Sequence, residues 1–276
     1  MPPSAQHTTP PQALVPVLYV SHGAPLFAIE AGETGPALAR WGAALRAQFP
    51  ELRGVLILSP HWMAPEARVT LTEWPETWHD FRGFPPELYA LQYPAPGAPA
   101  LAEQVLDLLH QAEIAAHGDT ERPLDHGAWV PLMHLFPEAD LPVVQLALPQ
   151  TAGPTEVYAL GAALQGLCSE GVLVVGSGSM THNLSEFFGG ERGAAPYVLE
   201  FARWIEAALE RGDRQALLDY RRQAPHALRA HPSEDHFLPL FFALGAAGPD
   251  ARATYLSREV MYGILAMDAF ALHVAA

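Results

Sequence analysis

The chain reads as a single α/β domain with a central, mostly parallel sheet flanked by helices, and with ligand chemistry expected at the carboxyl ends of the strands. Three observations predict this. Short, wholly apolar runs recur along the chain, each stops at Gly, Ser or Pro, and the segments between them carry apolar residues at three-to-four spacing. The runs 15–20 (VPVLYV), 54–58 (GVLIL), 141–148 (LPVVQLAL) and 171–175 (GVLVV) suit parallel strands buried on both faces. The intervening periodicity predicts helices over 36–48, 98–111, 155–167 and 196–210. Strands alternating with helices of that length imply βαβ units. Residues 1–12, rich in Pro and Thr, read as a disordered tail, leaving 13–276 as one domain. The stretch 73–99 breaks the rhythm. It is crowded with prolines and aromatics, and a long irregular segment of that composition reads as a functional loop.

Composition narrows the chemistry. All 15 cationic side chains are Arg, against 30 Asp and Glu, for a net charge of −15. Without a lysine there is no Schiff-base amine and no Walker-type phosphate lysine, and an acidic surface repels nucleic acid. The one cysteine, Cys168, lies in an apolar run and reads as core; alone it forms no internal disulfide and no CxxC pair. The first residues lack a basic segment followed by an apolar one, and no apolar run approaches about 18 residues. A soluble, cytoplasmic protein without membrane or nucleic-acid partners is expected. Nothing in the sequence fixes an oligomeric state.

Position then singles out a few of the 13 histidines. Ligands in open α/β sheets bind just beyond the strand carboxyl ends. His22 and His61 follow apolar strands within two or three residues, and His182 follows another after a glycine-serine turn. Neighbouring strands would bring these imidazoles to one rim, the arrangement a metal needs. His236 lies in Pro-Ser-Glu-Asp-His-Phe-Leu-Pro, which reads as a helix start with Ser233 as N-cap and Glu234 and Asp235 in the first turn. The dipole there would favour the neutral, ligating imidazole. His126 opens an apolar helix capped by Asp125, either as a plain first-turn residue or as a proton-handling group. His79 in the aromatic loop is a weaker candidate of the same kind, and Arg82 beside it reads as a solvated side chain or as a partner for a substrate carboxylate. His231, five residues from His236, reads as structural.

Other motifs fall short. The turn Gly-Ser-Gly-Ser-Met-Thr at 176–181 lacks the third glycine of a dinucleotide fingerprint, and its serines do not fit G-x-S-x-G. There is no H-E-x-x-H. The small residues of this turn are read instead as allowing backbone to approach a ligand or metal closely.

Six motifs, in order, carry a resemblance: Ser-His22-Gly-Ala-Pro; Ser-Pro-His61-Trp; His79-Asp-Phe-Arg-Gly-Phe-Pro with Tyr93-Pro-Ala-Pro-Gly; Asp-His126-Gly-Ala-Trp; Thr-His182-Asn; and Asp-His236-Phe-Leu-Pro-Leu. Together they resemble the class III extradiol ring-cleavage dioxygenases, and within them the DOPA dioxygenase branch. The resemblance implies one catalytic domain over 13–276, a single non-haem metal, and oxygen-dependent opening of a small aromatic diol such as DOPA beside its hydroxyls. It implies Fe(II) for activity, with Zn(II) an alternative occupant. Carried over by motif, His22, His61 and His236 would ligate the metal; His182 would be a fourth ligand or the acid/base; His126 would be a second catalytic histidine. His79, Phe81 and Tyr93 would meet the substrate, with the aromatic loop walling the pocket. An all-histidine set departs from the two-His, one-carboxylate triad; Glu234 or Asp235 could restore a carboxylate. A zinc hydrolase and a non-enzymatic binding protein are the competing readings.

Overall fold

The computed structural model describes residues 13–187 and 193–274, so the tail at 1–12 lies outside the described residues. Ten strands occur among them: β1 Val17–Ser21, β2 Gly54–Ala64, β3 Ala67–Thr70, β4 Ala116–Asp119, β5 Val143–Pro149, β6 Val172–Gly178, β7 Arg252–Ser257, β8 Val260–Met261, β9 Leu265–Ala266 and β10 Ala269–His273. Eight form one sheet in the order β4-β3-β5-β2-β6-β1-β10-β7, while β8 and β9 pair separately. The centre, β5-β2-β6-β1, is parallel throughout. On one flank β10 runs antiparallel to β1 and β7; on the other β3 is antiparallel to β5. The four apolar runs are thus the four central strands.

Alternate residues of those strands feed two cores. Leu56 and Leu58 face the helices Pro99–Gln111, Pro154–Ala162, Pro196–Arg211 and Leu238–Ala247. Val55 and Ile57 face the helices Thr34–Gln48 and His126–Leu135. Burial on both faces is what a run without polar alternation encodes.

Three expectations need correction. The helix predicted over 155–167 ends at Ala162, and residues 165–170 form a separate 3-10 turn. The helix expected from Ser233 begins at Leu238, because the preceding residues close a turn in which the Phe237 and Leu238 amides donate to the Glu234 carbonyl at 2.8 and 3.0 Å. Pro239, with no N–H to lose, fits the first turn instead. His236 therefore precedes the helix. Finally, Gly176 and Gly178 make room for protein rather than ligand: a Cβ at Gly178 would strike the His236 carbonyl, and one at Gly176 the Pro239 carbonyl. That contact seats the His236 turn against β6, where the Ser179 amide donates to the His236 carbonyl at 2.8 Å.

Candidate active site

His22 follows β1 and His182 follows β6, neighbours in the sheet. His61 sits inside β2, where the ladder with β5 jumps from Ser59↔Ala147 to Met63↔Leu148. The intervening residues, Pro60 to Trp62, form a bulge that re-aims the imidazole, and Pro60 has no N–H for the ladder. A buried polar bed fixes this bulge. The Ser59 hydroxyl donates to Asp125 Oδ1 at 2.8 Å and accepts the His61 N–H at 3.2 Å, while Arg122 Nη2 donates to the His61 carbonyl at 2.9 Å. Asp125 also caps the His126 helix, as expected, by accepting from the Ala128 amide, and Gln145 Nε2 donates to its second oxygen.

Hydrogen bonds decide which ring nitrogen each histidine turns inward. Ser177 spends its hydroxyl proton on the Gly127 carbonyl, so its oxygen accepts from His22 Nδ1 at 3.1 Å. His22 Nε2 is then a bare lone pair. Asp235 accepts from His236 Nδ1 at 2.5 Å, and Asp80 Oδ1 from His126 Nδ1 at 2.9 Å. The carboxyls of both are held below the usual range: burial works against this, but the histidine hydrogen bonds outweigh it. Burial, reinforced by neighbouring imidazoles, holds His22 and His61 well below the ordinary imidazole range.

The inward nitrogens converge. His61 Nε2 lies 3.1 Å from His22 Nε2 and 3.3 Å from His236 Nε2. A single N–H on His61 could satisfy one of these lone pairs but not both, whereas one dication satisfies all three, so the set fits a metal. Among the described residues, the trio whose ligand atoms all lie within 4.8 Å of one another is His22, His61 and His126. His182 differs. Its ring stacks on His236 at 3.6 Å between centroids and 5° between planes, so the two lone pairs lie in separate parallel sheets. Burial pushes its imidazole down to about 3. The carboxylates that could have completed a mixed set are engaged elsewhere: Asp235 on His236, and Glu234 with the Tyr220 hydroxyl at 3.0 Å.

Above these rings opens a cavity of about 250 Å³, with His61, His126, His182 and His236 on its polar side and Phe81, Phe84, Leu184, Phe187 and Leu265 on its apolar side. The aromatic loop contributes less wall than expected. Phe81 and Phe84 line the cavity, but Trp74 is 70% exposed, Arg82 is exposed, and Tyr93 is buried with its hydroxyl donating to the Phe136 carbonyl at 3.1 Å. His79 packs behind Phe81 and donates from Nε2 to the Leu91 carbonyl at 3.1 Å. His231 is fully buried and donates to the Met180 carbonyl, a structural role. Sequence reasoning gave no role to Asp80 or Ser177. The only sequence signal for Asp80 is its place beside His79 in His-Asp-Phe-Arg-Gly-Phe-Pro.

Known proteins share this architecture. A 4,5-DOPA dioxygenase extradiol of Beta vulgaris is 38% identical over 254 residues, covering 91% of this chain and 94% of the relative. One of Escherichia coli K12 is 33% identical over 258 residues, covering 92% and 93%. A crystal structure of an uncharacterized Escherichia coli K12 protein superposes with a TM-score of 0.77 at 28% identity, over 93% of this chain and 99% of that one. The family model for the catalytic LigB subunit of aromatic ring-opening dioxygenase matches residues 16–269, and the chain belongs to that family.

Proposed function

We propose that the protein opens the ring of a catechol of the DOPA type, extradiol, adding both atoms of O2 to one product. The observation that carries this reading is the convergence of the His22, His61 and His236 Nε2 atoms beneath a cavity sized for one substituted aromatic ring. These three residues would hold the metal, which we take to be iron(II) in the active enzyme; iron(II) supplies the electron transfer to O2 that no side chain here can provide. Zinc suits the same imidazoles but lacks that redox step.

The surrounding residues supply the rest. Phe81, Phe84 and Leu265 would sandwich the ring and keep water out. His126 Nε2, bare because Nδ1 is tied to Asp80, would take a catechol hydroxyl proton. His182, standing apart from the converging set, is the second candidate for that proton, and whichever histidine takes it would return it to the opening ring; its stacking on His236 favours this over ligation. His79 and Tyr93 would support Phe81 and the loop from behind. No helix among the described residues is long and apolar enough to cross a membrane. We place the enzyme in the cytoplasm, where a reducing environment preserves iron(II).

The test is anaerobic loading with iron(II), addition of a catechol panel including DOPA, then exposure to air. Oxygen uptake with a yellow ring-opened product is expected with iron and not with zinc. Activity with zinc and without O2 consumption would overturn the reading in favour of a hydrolase.

A further inference from the structure

We propose that Asp80 is a positioning residue: its carboxylate fixes the proton of His126 on Nδ1 and so presents a bare Nε2 to the cavity. One oxygen, Asp80 Oδ1, accepts both the backbone N–H and the ring Nδ1–H of His126, each at 2.9 Å. Two bonds from one residue to one atom pin the ring to the start of its own helix, leaving little freedom for rotation. The other oxygen lies 3.7 Å from His61 Nδ1, beyond hydrogen-bond range but close enough to attract that N–H as well.

Asp80 reaches this position because its loop is docked on the same helix start. The Trp78 amide donates to the Leu124 carbonyl at 2.8 Å, the Leu124 amide to the Glu76 carbonyl at 2.9 Å, and Trp129 Nε1 to the Trp78 carbonyl at 3.0 Å. The irregular, aromatic stretch therefore does more than wall the cavity with Phe81 and Phe84. It delivers an oxygen to the histidine whose remaining nitrogen would accept the substrate's proton. Free imidazole side chains in water favour the proton on Nε2, so the bond to Asp80 reverses the intrinsic preference.

This role serves the ring opening proposed above, yet it rests on hydrogen bonds that exist without substrate or metal, so the two can fail separately. Long-range ¹H–¹⁵N spectra of histidine-labelled, metal-free protein read the tautomer directly, with the His126 signals assigned by their loss in His126→Gln. Wild type is expected to show His126 with its proton on Nδ1. Asp80→Ala should move it toward Nε2 and, in the iron-loaded enzyme, lower kcat about 100-fold with zinc capacity and KM little changed. Asp80→Asn, which keeps an acceptor oxygen, should retain the tautomer and most of the activity. A wild-type proton on Nε2, an unchanged tautomer in Asp80→Ala, or a loss of kcat that merely follows loss of metal would each overturn the proposal. A shifted tautomer in a protein that opens no catechol would support Asp80's role and sink the functional reading instead.

Discussion

In the parallel centre of the sheet, β1, β2 and β6 carry or end near His22, His61 and His182, and the outward nitrogens of His22, His126 and His236 each meet an oxygen. The antiparallel flank buries polar groups without such provision. Asp268, just before β10, is 4% exposed, and burial pushes its carboxyl up to about 7. The Tyr255 hydroxyl on β7 is buried with no hydrogen-bond partner among the described residues. Both regions pay desolvation, and the centre too leaves the Tyr19 hydroxyl and Gln145 Oε1 without a hydrogen-bond partner among the described residues. At its rim, however, the paired imidazoles recover part of the cost by aiming at a common point. The difference teaches that the site's polarity is arranged for a ligand, whereas the flank's is a stability cost.

The largest expected effect breaks the centre. His61→Ala should abolish stoichiometric metal binding, and His126→Ala should keep the metal while turnover falls about 100-fold or more. Metal analysis beside a turnover assay checks both, and equal metal content in wild type and His61→Ala would contradict the ligand role. A smaller effect tests the support behind a ligand. Ser177→Ala removes the acceptor on His22 Nδ1, and chelator competition should show metal affinity down about 10- to 100-fold.

The flank supplies the smallest effect. The folded Asp268 carboxyl, at about 7, holds its proton where the unfolded one has already lost it. Stability therefore declines as pH rises from about 4 toward 7 and stays reduced above that. Asp268→Asn cannot ionise, so in urea denaturation of metal-free protein it should gain up to about 4 kcal/mol at pH 8 and almost nothing near pH 4. An equal gain at both values would show that packing, not charge, sets the cost.

Much of the centre was legible because it is local. Apolar runs name the strands, and the turn residues behind them name His22, His61 and His182 as rim groups. The partners were not legible because they are remote: Asp80 lies 46 residues from His126, and Ser177 lies 155 from His22. No periodicity links such pairs. Strands on the two flanks were missed for another reason. Strands as short as Ala67–Thr70 or as partly exposed as Arg252–Ser257 carry too few apolar residues to stand out. The His236 turn misled because Ser-Glu-Asp imitates a cap, while Pro239 and the contact with β6 set the real start.

Anomalous diffraction from crystals soaked in zinc tests the central claim most directly. One strong peak is expected about 2.0–2.1 Å from the Nε2 atoms of His22, His61 and His236, with His126 and His182 outside bonding distance. A peak bound by His126 in place of His236, or by none of these residues, would contradict the account.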